Sequence, residues 1–291
     1  MGLWLEKRYK AFCKITTKMV DLEQLSVADL KELCAKVEKV ALQAGEKIAE
    51  QLSSLRKLNI KTKGLHDFVT NVDKASEQLI VPGLRHILPD VGVLSEEGAG
   101  TPLSDGYNWI IDPLDGTTNF IHSMPPFAVS IGLAKGNEVL LGVVYEVTRE
   151  ELFSAVKGGG AFCNGQMLST TPCMAVDDAL IATGFPYYDY DRLPQFMETL
   201  EYFMRNSHGM RRLGSAATDL VYVACGRVDA FYEYGLKPWD VAAGIIIARE
   251  AGARFSDYEG GNNYLYGGEL LCAAPSLFPE FQEIIMRIMR R

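Results

Sequence analysis

The apolar triplet Trp109-Ile-Ile111 runs without interruption into Asp112-Pro-Leu-Asp115, and this junction constrains the chain more than any other stretch. The triplet reads as a short buried strand. It therefore carries Asp112 to its carboxyl end, at the edge of a core. Pro113 fixes φ at about −65° and removes a backbone donor. A turn is expected there, one that lets Asp112 and Asp115 converge on one point. Gly116-Thr-Thr118 follows and offers backbone N–H groups with little side-chain obstruction at an expected helix start, an arrangement that cradles anions.

Around this junction helices and strands alternate. Ser26 and Asp29 form a capping pattern, and Leu30, Leu33, Cys34, Val37, Ala41, Ala44 and Ile48 follow at helical spacing. They predict an amphipathic helix ending near Leu55. A second helix is predicted from about Val72 to Leu88, stopping before Pro89. Strands are predicted at Val91–Leu94, Phe127–Leu133, Val139–Tyr145 and Leu152–Val156. The last three read as antiparallel neighbours with turns at Lys135-Gly-Asn137 and near Thr148-Arg149. Gly158-Gly-Gly160 is expected to end the set. Beyond it come a strand at Ala179–Thr183, helices at Leu193–Arg205 and Ser215–Cys225, a strand at Asp229–Tyr234, and helices at Val241–Ala251 and Pro279–Arg290. No low-complexity linker or short repeat interrupts the 291 residues. The mixture predicts a layered α/β (α+β) fold over residues 20–291, with sub-domains at about 20–170 and 171–291.

A net charge of −8 argues against a nucleic-acid surface. It does not argue against a small anionic substrate, because a bound divalent cation reverses the local field. The six cysteines, Cys13, Cys34, Cys163, Cys173, Cys225 and Cys272, contain no CxxC pair. They read as reduced thiols of a cytoplasmic protein. No apolar run approaches the ~20 residues of a membrane span. Residues 1–19 carry Lys7, Arg8, Lys10, Lys14 and Lys18. They read as an N-terminal extension, solvated or upstream of a start at Met19, rather than a secretion signal. His66, His86, His122 and His208 lack metal-ligand spacing, with His122 a loop residue near an entrance. Tyr187-Tyr-Asp-Tyr190 is expected chiefly as a packing loop. Arg211 and Arg212 either draw an anion or pair with acids.

Further acids accompany Asp112 and Asp115: Asp67 and Asp73, Glu96 and Glu97, and Asp240. Carboxylates brought close repel unless a cation lies between them. An all-oxygen donor set suits Mg²⁺. The Thr117 hydroxyl can hold or deprotonate a water. Such a set serves phosphoryl transfer, which needs charge neutralisation and alignment. Taken alone, Asp112 and Asp115 serve equally as turn and cap residues.

Asp112-Pro-Leu-Asp-Gly-Thr-Thr-Asn-Phe120 resembles the first signature of the inositol monophosphatase family, and Lys237-Pro-Trp-Asp-Val-Ala-Ala-Gly244 resembles the second. Asp67-x-x-Thr-x-x-Asp73, Glu96-Glu97 and Arg211-Arg-Leu-Gly-Ser-Ala-Ala217 match further family segments in the same order. The resemblance runs from about Ser26 to the C-terminus. It implies a layered α-β-α-β-α architecture of the inositol monophosphatase and fructose-1,6-bisphosphatase type, usually homodimeric, with two or three Mg²⁺ per site and sensitivity to Li⁺. It further implies that Glu96, Asp112 and the Leu114 carbonyl hold one ion, and Asp112, Asp115 and Asp240 a second. Glu96 helps hold a weaker third. Thr117, bonded to Asp73, positions or activates the attacking water. The amides of Gly116 and Thr117 bind phosphate, while Gly214, Ser215, Ala216 and Glu233 line the pocket for the alcohol. Lys63 is placed loosely near the site.

The implied activity is hydrolysis of a small polyol or sugar phosphomonoester, with myo-inositol 1-phosphate first. The same machinery in related families acts on fructose 1,6-bisphosphate, 3′-phosphoadenosine nucleotides, NADP⁺ or histidinol phosphate. The loop from Phe185 to Leu193 is expected to decide among them. A reading of another class is a metal-binding regulatory protein that acts through a macromolecular partner.

Overall fold

The computed structural model describes residues 25–52, the backbone of 61–62 and 68–69, and residues 71–290. The extension 1–19, Lys63, Asp67 and the expected helix end near Leu55 lie outside these residues. The first helix, α1 (Val27–Leu52), begins as its cap predicts. The Asp29 N–H donates to Ser26 Oγ at 3.2 Å, and the Ser26 N–H donates to Asp29 Oδ2 at 3.0 Å. Each of the apolar positions read at helical spacing is buried.

Next come the short pair β1 (Lys61–Thr62) and β2 (Phe68–Val69), then α2 (Asn71–Ile87). A seven-stranded sheet follows in sequential order: β3 (Gly92–Ser95), β4 (Tyr107–Asp115), β5 (Ala128–Lys135), β6 (Glu138–Glu146), β7 (Glu151–Val156), β8 (Ala161–Cys163) and β9 (Gln166–Met167). Only β3 and β4 pair in parallel. The short helix α3 (Thr117–Ile121) lies between β4 and β5. Gly158–Gly160 does not end the sheet. The chain turns there and adds β8 and β9.

The second sheet has five strands, ordered β11-β10-β12-β14-β13. They are β10 (Leu180–Thr183), β11 (Gly209–Arg211), β12 (Ala230–Tyr234), β13 (Arg254–Ser256) and β14 (Glu269–Ala273). Among them run α4 (Leu193–Asn206), α5 (Ala216–Ala224) and α6 (Pro238–Glu250), and α7 (Phe278–Met289) closes the chain. Strands β11, β13 and β14 were not expected. Two are three residues long, and the run in β14 is too short for periodicity to separate strand from helix.

Three cores bind five layers together, the middle one enclosing a helical layer between the two sheets. Helices α1 and α2 cover one face of the first sheet, α5 and α6 fill the space between the sheets, and α4 and α7 cover the far face of the second. Alternation along β4 follows from this: Trp109 and Ile111 join the core under α1 and α2, and Ile110 joins the middle one. Helix α6 is apolar nearly all round because it is buried between two sheets. It sits close to the first sheet because Gly132 and Gly142, paired across β5 and β6, present no side chain. A Cβ on Gly142 would lie 2.6 Å from the Ala243 carbonyl oxygen. Among the described residues no helix is long and apolar enough to cross a membrane, and the cysteines are unpaired.

Candidate active site

The end of β4 sets the site. Asp112 pairs with Ser130 and Asp115 with Ala128, so β4 carries one residue more than its partner over this stretch. Such a bulge bends a strand and re-aims its side chains. The expected turn after Pro113 is therefore replaced by a bulged strand running to Asp115. Inside it the Leu114 N–H donates to Asp112 Oδ1 at 2.9 Å. The chain turns at Gly116, whose φ of +89° lies in the left-handed region that favours glycine.

Thr117 opens α3. Its hydroxyl oxygen lies 2.9 Å from Asp73 Oδ1 and 3.0 Å from the Leu114 carbonyl oxygen. With one proton to give, a hydroxyl that donates to Asp73 keeps its lone pairs for a water. Glu96 follows β3 directly, and its N–H donates to the Ile111 carbonyl at 3.2 Å, which sets it beside the end of β4.

The middle-layer helices bring the other groups. Ser215 caps α5 and accepts the Thr218 N–H. Its hydroxyl donates to Asp115 Oδ2 at 2.6 Å, and the Ala217 N–H donates to the same oxygen at 2.8 Å. Asp240 lies in the first turn of α6 and accepts the Lys237 N–H at 2.7 Å. The helix begins at Pro238, earlier than expected, so Asp240 belongs to it.

The cluster is electrostatically loaded. Burial, and then the charges of Glu96, Asp115 and Asp240, push the Asp112 carboxyl well above its ordinary range. Burial also raises Asp115, to about 6, although its bonds to Ser215 and nearby backbone oppose the rise. Asp240 is raised by burial and by Asp115. Among the described residues no three metal-ligating side chains form a closed cage. Protein donors hold Asp112 at Oδ1, and Asp115 and Asp240 at Oδ2. An all-oxygen set of partly anchored acids, raised by burial and, for Asp112 and Asp240, by neighbouring carboxylates, fits a hard divalent cation.

These groups surround a cavity of about 430 Å³. Glu96, Asp112, Leu114, Gly116, Thr117, Gly214, Ser215, Ala216, Glu233 and Asp240 line it. Asp73 and Asp115 contact that lining through Thr117 and Ser215. Burial pushes the Glu233 carboxyl up to about 8, against the pull of Arg212.

Several participants were missed or misjudged from sequence. Tyr187 and Tyr188, expected chiefly as packing, line the cavity together with Phe185, which begins the loop expected to decide the substrate. Arg212 stacks over the rings of Phe185 and Tyr187 at 5.2 and 5.6 Å and bonds the Tyr187 hydroxyl. Asn119 Nδ2 donates at 2.8 Å to the carbonyls of Pro126 and Leu213, tying the segment before β5 to the segment before α5. Asp219 is buried, with Oδ1 unpartnered among the described residues, and is raised by burial and by Glu233. Its signal was a lone charge on the apolar helix α5. His122 ends α3 and does not line the cavity.

Comparison with known proteins agrees with this geometry. The model of the inositol monophosphatase family matches residues 29–290. An inositol-1-monophosphatase of Rhizobium meliloti (strain 1021) is 39% identical over 245 residues, covering 84% of this chain and 92% of the relative. The Nus factor SuhB of Escherichia coli (strain K12) is 41% identical over 238 residues, covering 81% of this chain and 89% of the relative. The crystal structure of the extragenic suppressor protein suhB of Bartonella henselae superposes with a TM-score of 0.83 at 34% identity, covering 87% of this chain and 98% of that one.

Proposed function

The chain belongs to the inositol monophosphatase family, and from that premise we propose that it hydrolyses a small polyol or sugar phosphomonoester, myo-inositol 1-phosphate foremost, with Mg²⁺. The observation that carries this reading is the gathering of Glu96, Asp112 and Asp240 on one cavity, with Asp115 bonded to its lining through Ser215 and Asp73 through Thr117. Glu96, Asp112, Asp115, Asp240 and the Leu114 carbonyl would hold the ions. Bound divalent cations supply positive charge to the phosphate oxygens and to the departing alkoxide.

The chain's own groups do the rest. Thr117 Oγ1 accepts a hydrogen from the attacking water while its proton points to Asp73 Oδ1, so a proton can pass from water to Thr117 and on to Asp73. The amides of Gly116 and Thr117 face the phosphate. Glu233, whose carboxyl burial raises to about 8 in the metal-free protein, lines the same cavity and offers alcohol hydroxyls a hydrogen-bonding partner. Gly214, Ser215 and Ala216 shape the same side. A homodimer in the cytoplasm is the proposed setting.

A second reading rests on the relatives named Nus factor SuhB: a metal-binding protein that acts through a macromolecular partner. One panel separates the two. Phosphate release is measured from myo-inositol 1-phosphate, fructose 1,6-bisphosphate, a 3′-phosphoadenosine nucleotide, NADP⁺ and histidinol phosphate, each with Mg²⁺ or EDTA. Fastest release from the inositol ester with Mg²⁺ supports the first reading. Activity that survives EDTA sinks the metal's role, and no release from any ester favours the second reading.

A further inference from the structure

Apart from Asp73, the acids of the site come from both sheets and the helices between them, yet the outer helix α2 bonds three of the site's segments. Asp73, Ser76 and Glu77 share a face of α2 at helical spacing, and all three are buried. Asp73 takes the Thr117 hydroxyl. The Ser76 hydroxyl donates at 2.8 Å to the Pro113 carbonyl, inside the bulge between Asp112 and Asp115. Glu77 Oε1 accepts from the Ser95 hydroxyl and, at 3.1 Å, from the Ala99 N–H.

The two contacts of Glu77 bracket Glu96. Ser95 is the last residue of β3, and Ala99 lies just beyond the turn that carries Glu96. That turn is closed by the Gly98 N–H to the Ser95 carbonyl at 3.1 Å. It takes a left-handed φ of +86° at Gly98. A buried carboxylate is costly unless hydrogen-bonded. Here both bonds go to the one turn that presents Glu96 to the cavity.

We propose that Glu77 is a positioning residue that sets the site's affinity for a divalent cation by clamping the Glu96 turn. The proposal rests on the reading of this cavity as a divalent-cation phosphatase site. Outer partners of metal ligands typically govern affinity by about 10–100-fold.

The test is calorimetric titration of Mg²⁺ into the full-length, chelator-stripped protein, with thermal unfolding in EDTA to follow the fold. Glu77→Ala is expected to weaken Mg²⁺ binding by about 10–100-fold. Glu77→Gln keeps an oxygen acceptor for both donors and should restore most of the affinity. Ser95→Ala removes one contact and should weaken binding by less. A folded Glu77→Ala protein with wild-type affinity overturns the proposal, as does Glu77→Gln binding as weakly as Glu77→Ala. If Glu77→Ala does not fold, Ser95→Ala decides, and unchanged affinity there overturns it. Wild-type protein that binds no Mg²⁺ removes the phosphatase reading itself. Tight binding by wild type and variants alike removes the clamp alone.

Discussion

Replacing Asp115 with Asn should make the metal-free protein more stable and the enzyme far less active. Raising a carboxyl from 3.8 to about 6 on folding costs about 3 kcal/mol at a pH above both values. The sign follows from proton counts. Between those values the native state holds more proton than the unfolded chain, so stability falls as pH rises through that window and stays low above it. Asn carries no charge, yet its oxygen can still accept the Ser215 hydroxyl and the Ala217 N–H. Relief of about 3 kcal/mol in a chain of this length raises Tm by about 5 °C. The assay is thermal unfolding in EDTA at pH 8 and again at pH 5, where wild-type Asp115 is mostly protonated when folded and the gain should be about half as large. In the same variant phosphate release with Mg²⁺ should fall by about 10²-fold or more, beyond what loss of an outer partner brings. An Asp115→Asn protein less stable than wild type in EDTA at pH 8 would refute the reasoning, because the carboxylate would then stabilise the fold through its hydrogen bonds more than its burial opposes it.

Thr117→Val, which removes the hydroxyl between water and Asp73, should lower kcat by about 10²–10⁴-fold, while Thr117→Ser retains most of it; equal loss in both would discard the relay. Gly184→Ala places a Cβ within 2.0–2.1 Å of the Glu233 carboxyl atoms and must displace them. Its KM for the alcohol ester should rise about tenfold or more with kcat little changed, and an unchanged KM would remove Glu233 from the alcohol pocket. Added Mg²⁺ should raise Tm more at pH 8 than at pH 5, since protons compete with the cation for the raised carboxyls; the reverse order in a melting series would contradict the assigned directions.

Local signals were legible where one stretch of chain decides the outcome. The Ser26–Asp29 cap and the apolar positions of α1 need only their own neighbours, and both are realised. The acids at strand ends were legible because charge placed directly after a buried run has few structural uses. The bulge was not. Pro113 between two acids suits a turn and a bulged strand alike, and the choice is made by pairing with Ser130 and Ala128 on β5. The roles of Ser215 and Ser76 were hidden for a different reason. Their partners lie 100 and 37 positions away in sequence, and only the meeting of the middle-layer helices with β4, and of α2 with its outer side, brings them together.

The fold answers part of the cost of its own site, and the part it leaves unanswered separates the two functional readings. Helices α5 and α6 both begin at the cavity, and positive helix ends favour acids near them. Hydrogen bonds from Ser215, Ala216, Ala217 and Gly116 lower Asp115, and the Lys237 N–H lowers Asp240. Yet Asp115 still stands near 6, and Asp112 and Asp240 stay raised by burial and by neighbouring carboxylates. A surface used only to dock a macromolecule can be built from neutral polar groups at no such expense. Acids gathered on this cavity become useful when a cation enters, because its charge offsets the cost of their burial. A cation held there would supply positive charge near the Thr117 hydroxyl, where the proposed function has a phosphate attacked. The instability of the metal-free cluster and the proposed chemistry are two sides of one arrangement, so a variant that relieves the first without harming the second would break the link between them.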